Sequence, residues 1–358
     1  MEALSNYFDK MIICCPFDTY NETTTASIYQ KKNIEFMPLP NVGGDTFSSK
    51  LKLIAAIPKW FSAFYKINKK VDIIYQRFPN NLNIPGFFFF YIIRKKVFAT
   101  YTGTWGYDET QPFTYRLQKW FLKKLFRGPV WVYAEEEQLA KNIYGGFSPS
   151  YTLQEWNEET EQVQQRIARL NNDERSSELK MISVGTLNDN KNQIYLLHTC
   201  LQLIEAAIPF HLTLVGEGPL KEQFKQFVQQ NNLQQNVTIT GGLNYSQLRS
   251  LYRQNDFVVQ AAISEGFGKV PVEGFFHGLL PVLHQSALAP YMTGRGERGF
   301  LFNAIEANSL FNMLKEINTT ISAKLLADMI YKGRIFAKTQ TLENWAEGYH
   351  KKIVAYFG

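Results

Sequence analysis

The chain has 358 residues, 45% of them hydrophobic and 20% charged, with a formal net charge of +6. That length exceeds one ordinary core and that composition excludes a disordered chain, so two globular domains are expected. The longest apolar run, Gly86 to Ile93 (GFFFFYII), is too short to span a bilayer, and the opening MEALSNYFDK is too polar for a secretory leader.

Cysteine use agrees. Cys14, Cys15 and Cys200 are the whole set, and the adjacent pair lies in an apolar run. They read as core residues, and the expected compartment is the cytoplasm. The charge is uneven. Residues 1–150 carry 19 Lys and Arg against 12 Asp and Glu, and residues 151–358 carry 19 against 20. A basic first half faces something anionic: a lipid surface, a phosphorylated acceptor or nucleic acid.

In chain order, Met11 to Pro16 reads as a buried strand, Thr23 to Lys32 as a short helix, and Asn33 to Met37 as a second strand. Asn41 to Asp45 is a loop. Phe47 to Lys70 is a long helix with Leu51, Leu53, Ile54, Ile57, Trp60, Phe61 and Phe64 on its apolar side, and Pro58 is a candidate bend. Val71 to Tyr75 and Val97 to Thr102 are strands around a helix over Pro85 to Lys95. Val130 to Ala134 is a strand, Glu135 to Asn142 a helix, and Gly145 and Gly146 break the pattern. This alternation predicts a parallel sheet covered on both faces.

Tyr115 to Arg127 is an amphipathic helix. Arg116, Lys119, Lys123, Lys124 and Arg127 cluster on one side with Trp120 among them, and Leu117, Phe121, Leu122, Leu125 and Phe126 cover the other. Two readings fit: a helix lying on an anionic membrane, or a surface helix packing its apolar face on the sheet.

From Glu155 to Ser177 the chain turns polar. This is the expected exit from the first domain, a mostly exposed helix leading to a hinge. Strands then follow over Leu179–Gly185, His211–Val215, Asn236–Thr240, Asp256–Gln260 and Leu280–His284. Helices over Ile194–Ala207, Leu220–Asn231 and Tyr245–Gln254 separate them. In a parallel sheet the ligand sits at the carboxyl ends of the strands, so Gly185, Lys191, Gly216, Gly242 and Glu265 should converge on one edge. The predicted domains are 1–172 and 173–340, with a last helix over 341–358.

The stretch Ser264 to Val282 (SEGFGKVPVEGFFHGLLPV) carries the most chemistry. Glu265 and Glu273 bracket a glycine loop, Gly266-Phe267-Gly268, and Pro271 marks a helix start with Glu273 in its first turn. A glycine loop feeding a helix attracts phosphate, because unpaired N–H groups and the positive dipole end point the same way. Carboxylates on either side can accept from sugar hydroxyls. A first-turn Glu also simply complements the dipole, so the loop alone leaves both readings open.

The second half resembles the family 4 glycosyltransferases, retaining enzymes of the two-Rossmann GT-B fold. The matching pieces are VGTLNDNK (Val184–Lys191), LVGEGPL (Leu214–Leu220), NVTITGGL (Asn236–Leu243) and DFVVQAAISEGFGKVPVEGFFHGLLPV (Asp256–Val282). They cover roughly residues 180–305, and the first half fits by architecture alone. The resemblance implies an α/β fold of two Rossmann-like domains with parallel sheets facing a central cleft, the first for the acceptor and the second for the nucleotide sugar. Glu273 would hold the ribose, Glu265 would contact the donor sugar, and Lys191 with the N–H groups of Gly266, Phe267 and Gly268 would meet the diphosphate. Gly185 and Thr186 would line that site, and the loop with Gly242 and Leu243 would face the base. The closing helix would pack back on the first domain.

This sequence departs from the family at Thr186, where Arg is usual. It also departs in PFDTYNETTT, which has no glycine, at Thr102, where His is common, and in HQSALAPY after Val282. No Asp-x-Asp occurs, so a metal-bridged diphosphate is not implied, and the nucleotide sugar is a substrate rather than a cofactor. Front-face displacement with retention is expected, acting on a glycan or lipid-linked acceptor by a cytoplasmic protein that is peripheral on the membrane. The rivals are a GT-B sugar-nucleotide epimerase and a catalytically silent membrane-associated nucleotide-sugar binder. Nucleic acid is not an expected partner, because the basic residues interleave with core-like aromatics and no binding motif occurs.

Overall fold

The computed structural model describes residues 1–16, 29–40, 42, 47–80, 83–106, 111–286 and 288–358. The turn after the first strand and most of the predicted Thr23–Lys32 helix and Asn41–Asp45 loop lie outside them, as do the side chains of Leu51, Leu53 and Ile54. The chain forms two units. The described residues of one lie within 1–16, 29–147 and 343–358, and those of the other within 148–342.

The first unit opens with β1 (Met11–Pro16) and β2 (Ile34–Leu39), which pair in parallel. A second sheet holds β3 (Ile73–Phe78), β4 (Lys96–Tyr101), β5 (Val130–Tyr133), β6 (Gln138–Ala140) and β7 (Ile143–Gly146). Its order is β3-β4-β5-β7-β6, parallel except for β6 against β7. Helices Phe47–Asn68, Asn83–Ile92 and Phe113–Lys124 cover it, with Trp60, Phe64, Phe87, Phe90, Phe121 and Leu122 buried among them. Each such side chain stabilises the fold by about 1.5–3 kcal/mol. Pro58 lies inside the first of these helices.

The helix predicted over Glu135–Asn142 does not form. Those residues make β6 and its turn, and the Gly145 N–H donates to the Glu137 carbonyl at 2.9 Å. The hairpin pairs the edge of β7 that would otherwise stay open.

The helix Leu342–Phe357 supplies a further layer of the first unit. Tyr349 stacks on Trp131 with ring centroids 3.9 Å apart. Its hydroxyl pairs with Thr100 Oγ1 at 3.0 Å across 249 residues of sequence.

The second unit is a parallel sheet of six strands: β8 (Leu179–Val184), β9 (Phe210–Val215), β10 (Val237–Gly241), β11 (Phe257–Gln260), β12 (Leu280–His284) and β13 (Phe300–Phe302). The spatial order is β10-β9-β8-β11-β12-β13. This is the doubly wound Rossmann arrangement, in which the strand order reverses between the first and fourth strands. Both sheet faces are buried, which explains the continuous apolar runs. Met181, Leu212, Leu214 and Val259 sit in one core, and Ile182, Val215, Tyr252 and Val258 in the other.

The predicted boundary at 172 moves to 147/148. Helices Leu153–Glu158 and Thr160–Asn171 belong to the second unit. Val163 is in its core, and the buried Arg166 guanidinium donates to the Asn255 carbonyl at 2.7 Å and to Asp256 Oδ1 at 2.8 Å. The stretch looked like a linker because its apolar stripe is short, Val163, Ile167 and Leu170, and polar residues that include the buried Arg166 surround it.

Candidate active site

The site is built where the strand order reverses, at the carboxyl ends of β8 and β11. After β8 the chain runs through Gly185 and Thr186 into a 3-10 turn, Asp189–Lys191, and then the helix Gln193–Glu205. Asn188 Oδ1 caps this turn by accepting from the Lys191 N–H at 3.0 Å. Buried Gln193 donates to the Thr186 carbonyl at 3.0 Å, which fixes the exposed Thr186. After β11 the chain passes through Ile263 and Ser264 to Glu265.

Asn190 sews the two loops together. Its amide donates to the Ser264 carbonyl at 2.9 Å, its Oδ1 accepts from the Ser264 N–H at 3.1 Å, and its carbonyl accepts from Ile263 at 2.8 Å. The consequence is a half-buried ion pair between Lys191 Nζ and Glu265 Oε2. Lys191 lies across Gly185, where an added Cβ would stand 3.4 Å from its Cε. Gly268 completes this cluster, its Cβ position 3.6 Å from Glu265 Cγ.

Gly268 has φ +78 and caps the helix Lys269–Phe276, so the chain enters that helix from a left-handed residue. The helix begins two residues earlier than predicted. Pro271 is its third residue and Glu273 its fifth, beyond the first turn, so a dipole role for Glu273 is the weaker reading. Phe267, flanked by the two loop glycines, is buried.

Glu273 is held by two hydroxyls. Ser150 Oγ donates to Oε1 at 2.7 Å and the buried Tyr252 OH to Oε2 at 2.9 Å. Burial, reinforced by the Glu273 charge, raises the Tyr252 phenol well above its usual value, so it stays a donor. Beneath this pair lies a second network. Neutral His277, stacked on Tyr252, accepts from the Tyr151 OH at 3.0 Å and donates to Glu159 Oε2 at 3.0 Å. Glu159 also takes Arg249 Nη2 at 2.5 Å and Arg253 Nε at 3.1 Å. Burial alone would raise its pKa, but these donors outweigh that and hold it well below the carboxylate range. Burial lowers the His277 pKa despite Glu159.

The third edge of the site comes from β9 and β10. The Gly185 N–H donates to the Val215 carbonyl and the Gly216 N–H to the Gly241 carbonyl, each at 2.9 Å. Glu217, paired with Lys221 at 2.8 Å, accepts from the Gly242 N–H at 2.9 Å. Leu243 packs in the cluster that contains Tyr252. The five residues expected to converge therefore do so along one sheet edge.

At Gly216 only hydrogen fits, since a Cβ would stand 1.9 Å from the Gly185 carbonyl oxygen. Gly216→Ala is expected to cost about 3 kcal/mol or more by overpacking, read by denaturant unfolding. An unchanged midpoint would show that the two loops do not touch.

Sequence reasoning missed Asn190, Ser150, Tyr252 and Glu217. Asn190 and Glu217 sit inside stretches already singled out. Ser150 and Tyr252 carry no local signal, since they meet Glu273 from 123 and 21 residues away.

Two Rossmann-like units, the second with a loop lysine and a carboxylate joined at its switch point, are the architecture of the GT-B fold. Residues 164–335 match the family model for glycosyl transferases group 1. It is 29% identical over 151 residues to an uncharacterized glycosyltransferase of Methanocaldococcus jannaschii, covering 40% of each chain. A Campylobacter jejuni enzyme is 29% identical over 139 residues, which are 38% of this chain and 36% of that one. That enzyme is named N-acetylgalactosamine-N,N'-diacetylbacillosaminyl-diphospho-undecaprenol 4-alpha-N-acetylgalactosaminyltransferase. These alignments span about two-fifths of the relatives' length. Among solved structures, Anabaena Alr3699/HepE in complex with UDP and glucose superposes with a TM-score of 0.72 at 16% identity, over 99% of this chain and 94% of that one. Among the described residues no helix is long and apolar enough to cross a membrane.

Proposed function

We propose that this glycosyltransferase moves a sugar from a nucleotide-diphosphate donor to an acceptor hydroxyl with retention of configuration, in the assembly of a cell-surface polysaccharide or lipid-linked glycan. The observation that carries the reading is Lys191 fixed against Glu265 at the switch point of the sheet. A cation there meets a diphosphate as negative charge builds on departure.

In this reading the backbone of Gly266, Phe267 and Gly268 shares the diphosphate with Lys191. Glu273, oriented by Ser150 and Tyr252, accepts from the ribose hydroxyls. Gly185 and Thr186 line the phosphate side, and Gly242 and Leu243 face the base. Glu265 contacts the donor sugar. The bond from the anomeric carbon to the diphosphate breaks, and the acceptor oxygen bonds from the same face. Its proton passes to the departing phosphate oxygen. Protein cations and amides carry this charge, with no metal ion required. The Campylobacter relative's name includes a diphospho-undecaprenol acceptor, which supports a lipid-linked acceptor and work at the inner face of the cell membrane.

The test is a thermal-shift screen of UDP-, GDP- and ADP-sugars, followed by NMR of the product's anomeric centre. A donor at a hundredfold excess over its Kd stabilises the fold by about 2.7 kcal/mol, roughly 5–10 °C for a unit of this size. Inversion at the anomeric carbon would overturn the mechanism. Interconversion of the sugar nucleotide without acceptor would mark an epimerase instead.

A further inference from the structure

The helix Phe113–Lys124 does not offer its apolar side to a partner. Phe121, Leu122 and Phe126 are buried in the first unit's core, and Lys119, expected on the basic face, is buried and donates to the Gly106 carbonyl at 2.8 Å. What this helix exposes is its other side. Phe113 is 73% and Trp120 50% exposed, two turns apart and interleaved with the exposed Arg116, Lys123 and Lys124.

The patch continues across two more helices of the same unit. Phe88 and Ile92, one turn apart on Asn83–Ile92, are exposed, Ile92 by 74%. Phe61 and Tyr65, one turn apart on Phe47–Asn68, are exposed as well. Ring contacts join the three: Phe61 to Phe89 at 5.8 Å, Phe88 to Phe121 at 5.2 Å, and Phe121 to Trp120 at 5.5 Å. The charge around them has one sign. Residues 47–70, 83–106 and 111–127 hold fourteen Lys and Arg and no Asp or Glu.

We propose that this three-helix face docks on a bilayer containing anionic phospholipid, with the aromatic and isoleucine tips in the headgroup and upper acyl region and the cations on lipid phosphates. Apolar tips ringed by cations suit that interface, where Trp and Tyr are favoured and each basic residue adds its own attraction. A second copy of the chain would bring like charge to like charge. Nucleic acid would leave Ile92 and Phe113 without an apolar partner. The proposal deepens the reading of a membrane-proximal acceptor by naming the surface, and it rests on that reading for its purpose.

The test is flotation of the full chain with phosphatidylcholine vesicles, with and without phosphatidylglycerol. Binding is expected only to the anionic vesicles, and it weakens as salt rises. Arg116→Gln/Lys123→Gln/Lys124→Gln should weaken it about a hundredfold. Ile92→Ser/Phe113→Ser, at the two most exposed tips, should abolish most of what remains, with melting temperature and donor-induced thermal shift unchanged. If either variant melts early, the other decides. Absent or charge-independent vesicle binding by the unaltered protein would overturn the proposal. So would patch variants that dissociate a dimer yet still float. The donor-induced shift is read without lipid, so a failure of the glycosyltransfer reading shows separately.

Discussion

Lys191→Ala is expected to lower kcat/KM by about two to three orders of magnitude, the effect of removing one preorganised donor to a developing oxyanion. The turn carrying it is capped by Asn188 and tied to the neighbouring loop by Asn190, and neither bond uses the lysine side chain. The variant should therefore fold and melt like the parent. Its defect should fall mainly on kcat, because the charge to be stabilised grows as the diphosphate departs. Removing Lys191 also leaves Glu265 facing the diphosphate without that cation between them. Lys191→Ala/Glu265→Gln should then lose less than the two single changes added together, since residues in contact do not act independently. Turnover within tenfold of the parent would remove Lys191 from the mechanism.

Glu159→Ala is expected to destabilise the second unit by about 3–5 kcal/mol, the cost of removing one partner from a buried ionic cluster. For a unit of this size that is roughly a 10 °C fall in melting temperature. The carboxylate is buried and answers Arg249, Arg253 and His277 at once. The pH dependence has a definite sign. Glu159 titrates below its ordinary 4.5 in the folded chain, so its contribution is complete above that value and lost as pH falls below it. His277 is likewise depressed from 6.5, so acidification erodes stability beginning near that pH. Melting curves between neutral and acid pH should fall throughout, and the variant should lose less than the parent below pH 4.5. An unchanged melting temperature would mean the cluster is solvated.

Much of the second unit was readable because its strands are buried on both faces and end in glycine or polar turns. Leu280–His284 and Tyr245–Gln254 match their predicted limits, and β8 and β9 differ from them by one residue. The site residues cluster as the strand-end rule required. What was not readable depends on distant partners. The hydroxyls on Glu273 and the Glu159–His277 pair, 118 residues apart, leave no periodic trace. The polar run after Glu155 hid a buried anchor because Arg166 and Glu159 are satisfied by charge rather than by apolar contact. Helix propensity misled over Glu135–Asn142, where pairing with a sheet edge won.

The bond between Thr100 and Tyr349 bears on how the chain is made. A ribosome adding roughly 5–20 residues per second needs about 10–50 s to travel from one to the other. During that interval Phe98 and Trp131 lack the helix that finally covers them. The nascent polypeptide must therefore shelter an aromatic surface until translation has passed Leu342–Phe357, and a chaperone that binds such surfaces would meet it there.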